Sequence, residues 1–292
     1  MPGFDNARTL VAALDAGQTW VSTFRKVPAA TATITGQWFD YGYASGNPIP
    51  NYYAASPLVA ATLEADKGII VPRLSGSARQ FLHRLTVMSA GATSSTQPLY
   101  LLDYLLYYPF VDMDAAGEDQ AMTQTATLPR YTDGIGVQMM VVAQSPTVGG
   151  GTFTITYTAS DDVQYTTTAM LCGAAQPAGA IVSAVLATGG LTPFVPLNAG
   201  VKGVKRVDSV NFSVANGGLC AVVLVRPLEV TQTLESVAAS GLGAAVEKEA
   251  LRLRGGIVEI KDGAFLSLIG WGVAGSLASA PLVGTIETFW SN

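Results

Sequence analysis

Side chains able to move a proton or hold a metal are few in this sequence. His83 is the one histidine. It stands in Phe81–Met88, where apolar and polar residues alternate, as in a strand with one buried face. A lone histidine in such a strand more often fills space than acts as a base. Any Ser–His–Asp or Cys–His arrangement would have to use it. There is no G-x-S-x-G elbow, no Walker A loop and no G-x-G-x-x-G turn between strand and helix. Cys172 and Cys220 sit among apolar or small residues, and with one histidine they make no zinc ligand set. They read as buried free thiols that behave as small hydrophobes; a single bridge would be no disulfide framework. Asp112, Asp114, Glu118 and Asp119 with Gly117 faintly resemble a calcium loop. That loop would need a third acid at the usual spacing and a terminal bidentate glutamate, so a solvated acidic loop is the simpler reading. Asp103, Asp112, Asp114 and Glu118 are also available for glycoside hydrolysis, which needs two acids about 5–9 Å apart. Nothing in the sequence brings them together. The expectation is a chain without catalytic residues, metal ligands or a cofactor.

Such chemistry would need a scaffold, and composition bounds what that scaffold is. The 292 residues suffice for one large all-β domain or two smaller ones. Charged residues make up 13%, against about 25% in average soluble proteins, and the mean hydropathy is +0.34. Shortage of charge is a mark of interface cores, so part of the surface is expected to be covered by neighbouring chains. The net charge of −5 argues against direct binding of nucleic acid, which needs phosphate neutralisation. The basic cluster Lys202, Lys205 and Arg206 reads as a solvated turn. The opening residues MPGFDNARTL carry no apolar leader, so folding in a reducing cytoplasm is expected. Ala264–Gly284 lacks charge over a membrane-spanning length. Its Gly270, Gly272, Gly275 and Pro281 argue against a helix and for a strand followed by a loop.

Hydrophobic periodicity places the elements. Residues 5–26 carry Leu10, Val11, Leu14, Val21 and Phe24 roughly on one helical face, with Gly17 as an interruption and Pro28 as a stop. From Thr31 on, short strands alternate with Gly and Pro turns. Residues 41–53 read as an aromatic and proline-rich loop. Residues 99–110 (LYLLDYLLYYPF) fit a buried strand or a helix equally well. Thr152–Thr158 alternates threonine with Phe153, Ile155 and Tyr157, and Asp161-Asp162 turns it back. Val207–Val214 alternates, and Leu219–Val225 is a continuous apolar run that Pro227 ends. A short helix is expected around 244–253. Asp262-Gly263 between Ile257–Lys261 and Ala264–Leu268 is a strong hairpin signal. The fold expected is mainly β, an antiparallel β-sandwich or jelly-roll-like body. It would have an N-terminal helix or arm (1–30), a sandwich domain (31–230) and a C-terminal helix-plus-hairpin segment (231–292) lying on the same body or a neighbour.

Three stretches bear on kinship. They are VVAQSPTVGGGTFTITYT from Val141, FVPLNAGVKGVKRVDSVNFSVANGGLCAVVLVRPL from Phe194, and LLDYLLYYPFVDMD over 101–114. Together they resemble structural proteins of tailed-bacteriophage particles. The resemblance implies a virion component of the head decoration or minor capsid type, assembled in the host cytoplasm. Its partners would be copies of itself, as a homo-oligomer, and other virion proteins such as the major capsid protein. A major capsid protein would usually carry a long spine helix, and no segment here offers one.

On this reading function is mechanical, through desolvation of apolar and aromatic surface between subunits. The candidate surfaces are the N-terminal arm (Phe4, Leu10, Trp20, Phe24), the loop with Trp38, Tyr41, Tyr43, Tyr52 and Tyr53, and the last segment with Trp271, Phe289 and Trp290. Each serves equally well as core. The alternatives are a carbohydrate- or receptor-binding sandwich using the 38–53 loop, a major capsid, neck or tail protein, and an enzyme built on His83 or the 112–119 acids.

Overall fold

The computed structural model describes residues 7–28, 36–63, 65–74, 78–89, 97–173, 175–184, 192–233, 246–249, 258–272 and 281–291. In chain order, helix α1 (Ala7–Asp15) precedes β1 (Thr19–Val27), β2 (Trp38–Asp40), β3 (Ser45–Asn47), β4 (Ala61–Thr62), β5 (Arg79–Ser89) and β6 (Pro98–Asp112). Then come β7 (Gln120–Ala121), β8 (Gln138–Ala143), β9 (Thr152–Ala159), β10 (Gln164–Thr166), β11 (Met170–Leu171) and β12 (Val204–Phe212). The last are β13 (Leu219–Gln232), β14 (Val246–Glu249), β15 (Glu259–Ile260), β16 (Phe265–Trp271) and β17 (Leu282–Ser291).

The fold is mainly β, antiparallel and sandwich-like, with a short α-helix near the N-terminus. Its centre is a sheet ordered β2-β16-β6-β13-β8, with β4 on the same edge of β6 as β16. The two long strands β6 and β13 form its spine. At about 3.4 Å per residue, β6 is long enough to belong to two sandwiches at once. One half of the spine faces the sheet β10-β9-β12-β7 across a core of Leu105, Val111, Met139, Phe153, Ile155, Val207, Phe212 and Leu224. The other half faces β14-β5-β17-β1-β3 across Phe24, Leu82, Leu85, Leu99, Leu101, Leu266 and Ile286. The opposite face of the spine is roofed by Trp38, Tyr53, Leu63, Ile181 and Phe194. Burial on both faces is why residues 219–225 read as an unbroken apolar run and residues 99–110 as one interrupted only by Asp103.

Several expectations are corrected by this arrangement. The N-terminal helix stops at Asp15, where Gly17 closes its last turn. The β-branched and aromatic residues after it then form β1 along β17. Strand β13 continues through Pro227 to Gln232, because the register with β6 shifts at Pro227/Glu229; a proline is tolerated at such an irregularity. Residues 246–249 form a strand on the edge of β5 rather than part of a helix. Tertiary pairing overrides the helix preference of Glu and Lys there; the rest of 244–253 lies outside the described residues. The turn at Asp262-Gly263 is present, with Gly263 at φ +74°. Its flanks do not pair with each other, however: β15 joins β5, and β16 joins β6 and β2. The turn is a corner between two sheets. Strand β17 runs between β1 and β5, so the first described strand and the last lie side by side. At Gly284 of β17 the ring of Phe24 leaves no room for a Cβ.

Candidate interaction surface and the buried polar centre

Two buried carboxyl groups stand where the sheets meet. Asp40, at the end of β2, is fully buried. It accepts hydrogen bonds from the Tyr104 hydroxyl (2.7 Å), the Gly42 N–H (2.8 Å) and the Tyr53 hydroxyl. Burial pushes its pKa up, and the three donors and the Lys26 charge pull it back. Lys26 of β1 is also buried. Its ammonium donates to Pro48 O at 2.7 Å and to Ala44 O at 3.2 Å. Burial lowers its pKa to about 8, opposed by Asp40. Tyr53 and Tyr104 are pushed well above the usual phenol range, by burial first and then by Asp40. The cluster ties the 41–53 loop to β6 and β1. The three bonds to Asp40 are made, and its carboxyl is sealed from solvent.

Asp103 lies inside β6. It accepts Arg130 Nε (2.9 Å) and Nη2 (2.7 Å) as a two-pronged fork, and the Phe265 N–H at 3.1 Å. Its side chain is 1% exposed and that of Arg130 9%. Burial raises its pKa to about 6 against the pull of Arg130. Close by, Arg226 of β13 lies 5.3 Å over the Tyr131 ring and donates to Ile135 O at 2.7 Å. The segment 130–135 is thereby pinned to the spine. Sequence reasoning missed both clusters. The available signal was a charge inside an apolar run, as in LLDYLL and WFDY, because a buried charge must be paired.

The residues singled out for chemistry do not converge. His83 on β5 is half-buried; its Nδ1 is 3.6 Å from Glu287 and its ring lies edge-on to Phe289. Asp112 accepts the Asp114 N–H, Asp114 accepts the Gly217 N–H, and Asp119 accepts the Asn211 amide. Among the described residues no three His, Cys, Asp or Glu come close enough to hold a metal. Cys172 and Cys220 are free and buried, with thiol pKa values raised by burial. Lys205 pairs with Asp162 (2.6 Å) and Arg206 with Asp208 (2.8 Å) beside a groove of about 220 Å³. No described helix is long and apolar enough to cross a membrane.

The aromatic candidates divide by burial. Phe24, Trp38, Tyr41, Tyr53 and Phe289 are core residues with no surface to offer a partner. Leu10, Tyr43, Trp271 and Trp290 are half-buried, and Trp271 stacks on Trp38 with ring centres 6.5 Å apart. Phe4 lies outside the described residues. Trp20 and Tyr52 are about half exposed. The 38–53 loop is locked rather than open: Gln144 receives the Tyr43 hydroxyl on its backbone carbonyl and donates its side-chain amide to Tyr52 O and Tyr53 O. With Trp38 buried, the platform on which a sugar ring would stack there is reduced to Tyr52.

Trp20 and Tyr52 belong to one neighbourhood. Trp20, Val21, Asn47, Pro48, Gly68, Ile69 and Ile70 line a groove of about 220 Å³. The groove beside it, about 320 Å³, continues through Ile49, Tyr52, Leu63, Lys67 and Tyr107. Half of the ten large exposed apolar side chains among the described residues (Trp20, Val21, Ile49, Tyr52 and Ile70) line these two grooves. The other five, including Val11, Val148 and Val163, line neither groove; isolated apolar side chains of that kind are ordinary. No family model matches the sequence, and no curated protein and no solved structure matches the chain.

Proposed function

We propose that this chain is a non-enzymatic structural subunit of a tailed-bacteriophage particle, of the head decoration or minor capsid type, working through contacts with copies of itself and with the shell. The observation that carries the reading is the gathering of exposed apolar side chains around two neighbouring grooves. Collected apolar surface marks interaction sites. The low charge content and the resemblance of the three stretches from Leu101, Val141 and Phe194 to virion proteins support the same reading. So does the burial of Asp40, Asp103 and Lys26, three ionisable groups that could otherwise have served chemistry, inside the sheet junction. Groups placed there hold sheets together and meet no substrate.

Mass spectrometry of density-gradient-purified particles tests the proposal. The expected result is this chain in many copies per particle, at a fixed ratio to the major capsid protein and retained through a salt wash. Particles lacking the chain, with the chain left in the soluble fraction, would refute it.

A further inference from the structure

Strand β1 is paired with β17 from Thr19 to Lys26, but β3 covers its other side only from Arg25 to Val27. From Thr19 to Phe24 that side has no partner among the described strands. After Asn47 the chain turns away at Pro48 instead of continuing alongside. A bare edge presents N–H and C=O groups in the spacing that another strand needs, and proteins usually guard one with charge, proline or a bulge. The sequence TWVSTF at 19–24 has neither charge nor proline, and its register with β17 is regular. The exposed side chains of Trp20 (47%), Val21 (58%) and Ile70 (59%) flank it. The Trp20 ring is held in place by its Nε1–H bond to Ser22 Oγ (3.0 Å), and Ser22 Oγ in turn donates to Ile70 O.

We propose that this edge docks a second copy of the same chain, strand antiparallel to strand about a two-fold axis near Trp20 and Val21. The inference rests on reading the chain as a self-assembling subunit and names the surface used. Charge selects the occupant and the direction. Asp15 and Arg25, both exposed, bracket the uncharged stretch at opposite ends. An antiparallel approach brings the Asp15 end of one copy beside the Arg25 end of the other at both ends of the contact. A parallel approach would set arginine against arginine. A two-fold contact uses the same patch on both copies, so each copy's groove receives an apolar side chain from the other.

Light scattering on the eluting full-length chain, across a concentration series, tests this. The unaltered chain is expected at twice 30.3 kDa, and Val21→Lys and Ile70→Lys are each expected to fall to the monomer mass. Val148→Lys, at a 78% exposed position outside both grooves, is expected to leave the mass unchanged. Circular dichroism and melting confirm that the variants fold. Amide exchange on the unaltered chain reads the same edge without substitution: residues 19–24 slow as concentration rises. A monomer at every concentration overturns both the edge and self-assembly. An associated chain whose mass survives both lysine substitutions, with exchange at 19–24 unchanged, overturns the edge alone.

Discussion

Replacing Arg130 by methionine removes the fork from Asp103 and keeps most of the side-chain volume. The Asp103 carboxyl is 1% exposed and cannot turn to water. Breaking a buried pair by removing one partner costs about 3–5 kcal/mol, and we expect the lower end at pH 7, because the carboxyl has an escape. With Arg130 present its pKa is about 6, so the folded protein binds this proton at pH 5 and has released it at pH 7. Without Arg130, burial holds the proton on through pH 7. The two proteins differ in bound protons only above pH 6, and there the variant loses stability relative to the parent at about 1.4 kcal/mol per pH unit. The penalty should therefore grow by about 1.4 kcal/mol between pH 5 and pH 7. Urea unfolding of both proteins at the two pH values, followed by tryptophan fluorescence and circular dichroism, measures it. A penalty under about 1 kcal/mol, against the buried-pair cost above, would show that the Asp103–Arg130 fork does not hold the 130–135 segment to the spine; one equal at both pH values would show that Asp103 does not release its proton between them.

Tyr53→Phe removes one of three donors from the buried Asp40 carboxyl; it should cost about 1–3 kcal/mol, read as a lower melting temperature. Lys26 has a folded pKa of about 8 against 10.5 for the free side chain. The unfolded chain thus binds the extra proton between those values, so this group's contribution to stability should rise from pH 8 to pH 10 and be flat below pH 8. Lys26→Met should abolish that rise in matched melting curves. Cys172 and Cys220, buried and held in the thiol form, should resist a thiol reagent in the folded protein and react fully in denaturant.

Strand character was legible in several stretches, though not in residues 99–110, which fitted a helix as well, nor in β1, which followed a helical period. Thr152–Thr158 and Val207–Phe212 show it as alternation, Leu219–Val225 as an unbroken run. What sequence could not supply was partnership. Asp262-Gly263 specifies a turn, yet whether its flanks pair with each other or leave for different sheets is decided by residues far along the chain, here β5 and β6. The stretch around Val246 has helix-forming composition, and only the open edge of β5 makes it a strand. Residues 18–26 follow a helical period by coincidence; pairing with β17 fixes them as extended. The buried centre was half legible, since Asp40 and Asp103 interrupt apolar runs, but the partners Tyr53, Tyr104, Lys26 and Arg130 arrive from other elements. The surface was the least legible part. Aromatic content pointed to Trp38, Tyr41 and Tyr53 as readily as to Trp20 and Tyr52, because a tryptophan that closes a core and one that meets a neighbour look the same in sequence.

Covalent footprinting of the free chain and of the chain within purified particles would probe the proposed contact directly. Modification of Trp20, Tyr52 and Ile70 should fall sharply on assembly, while Val148 keeps its reactivity. Equal modification of these residues in both states would mean that the apolar grooves face solvent in the particle, and the account of a subunit that works by covering them would fail.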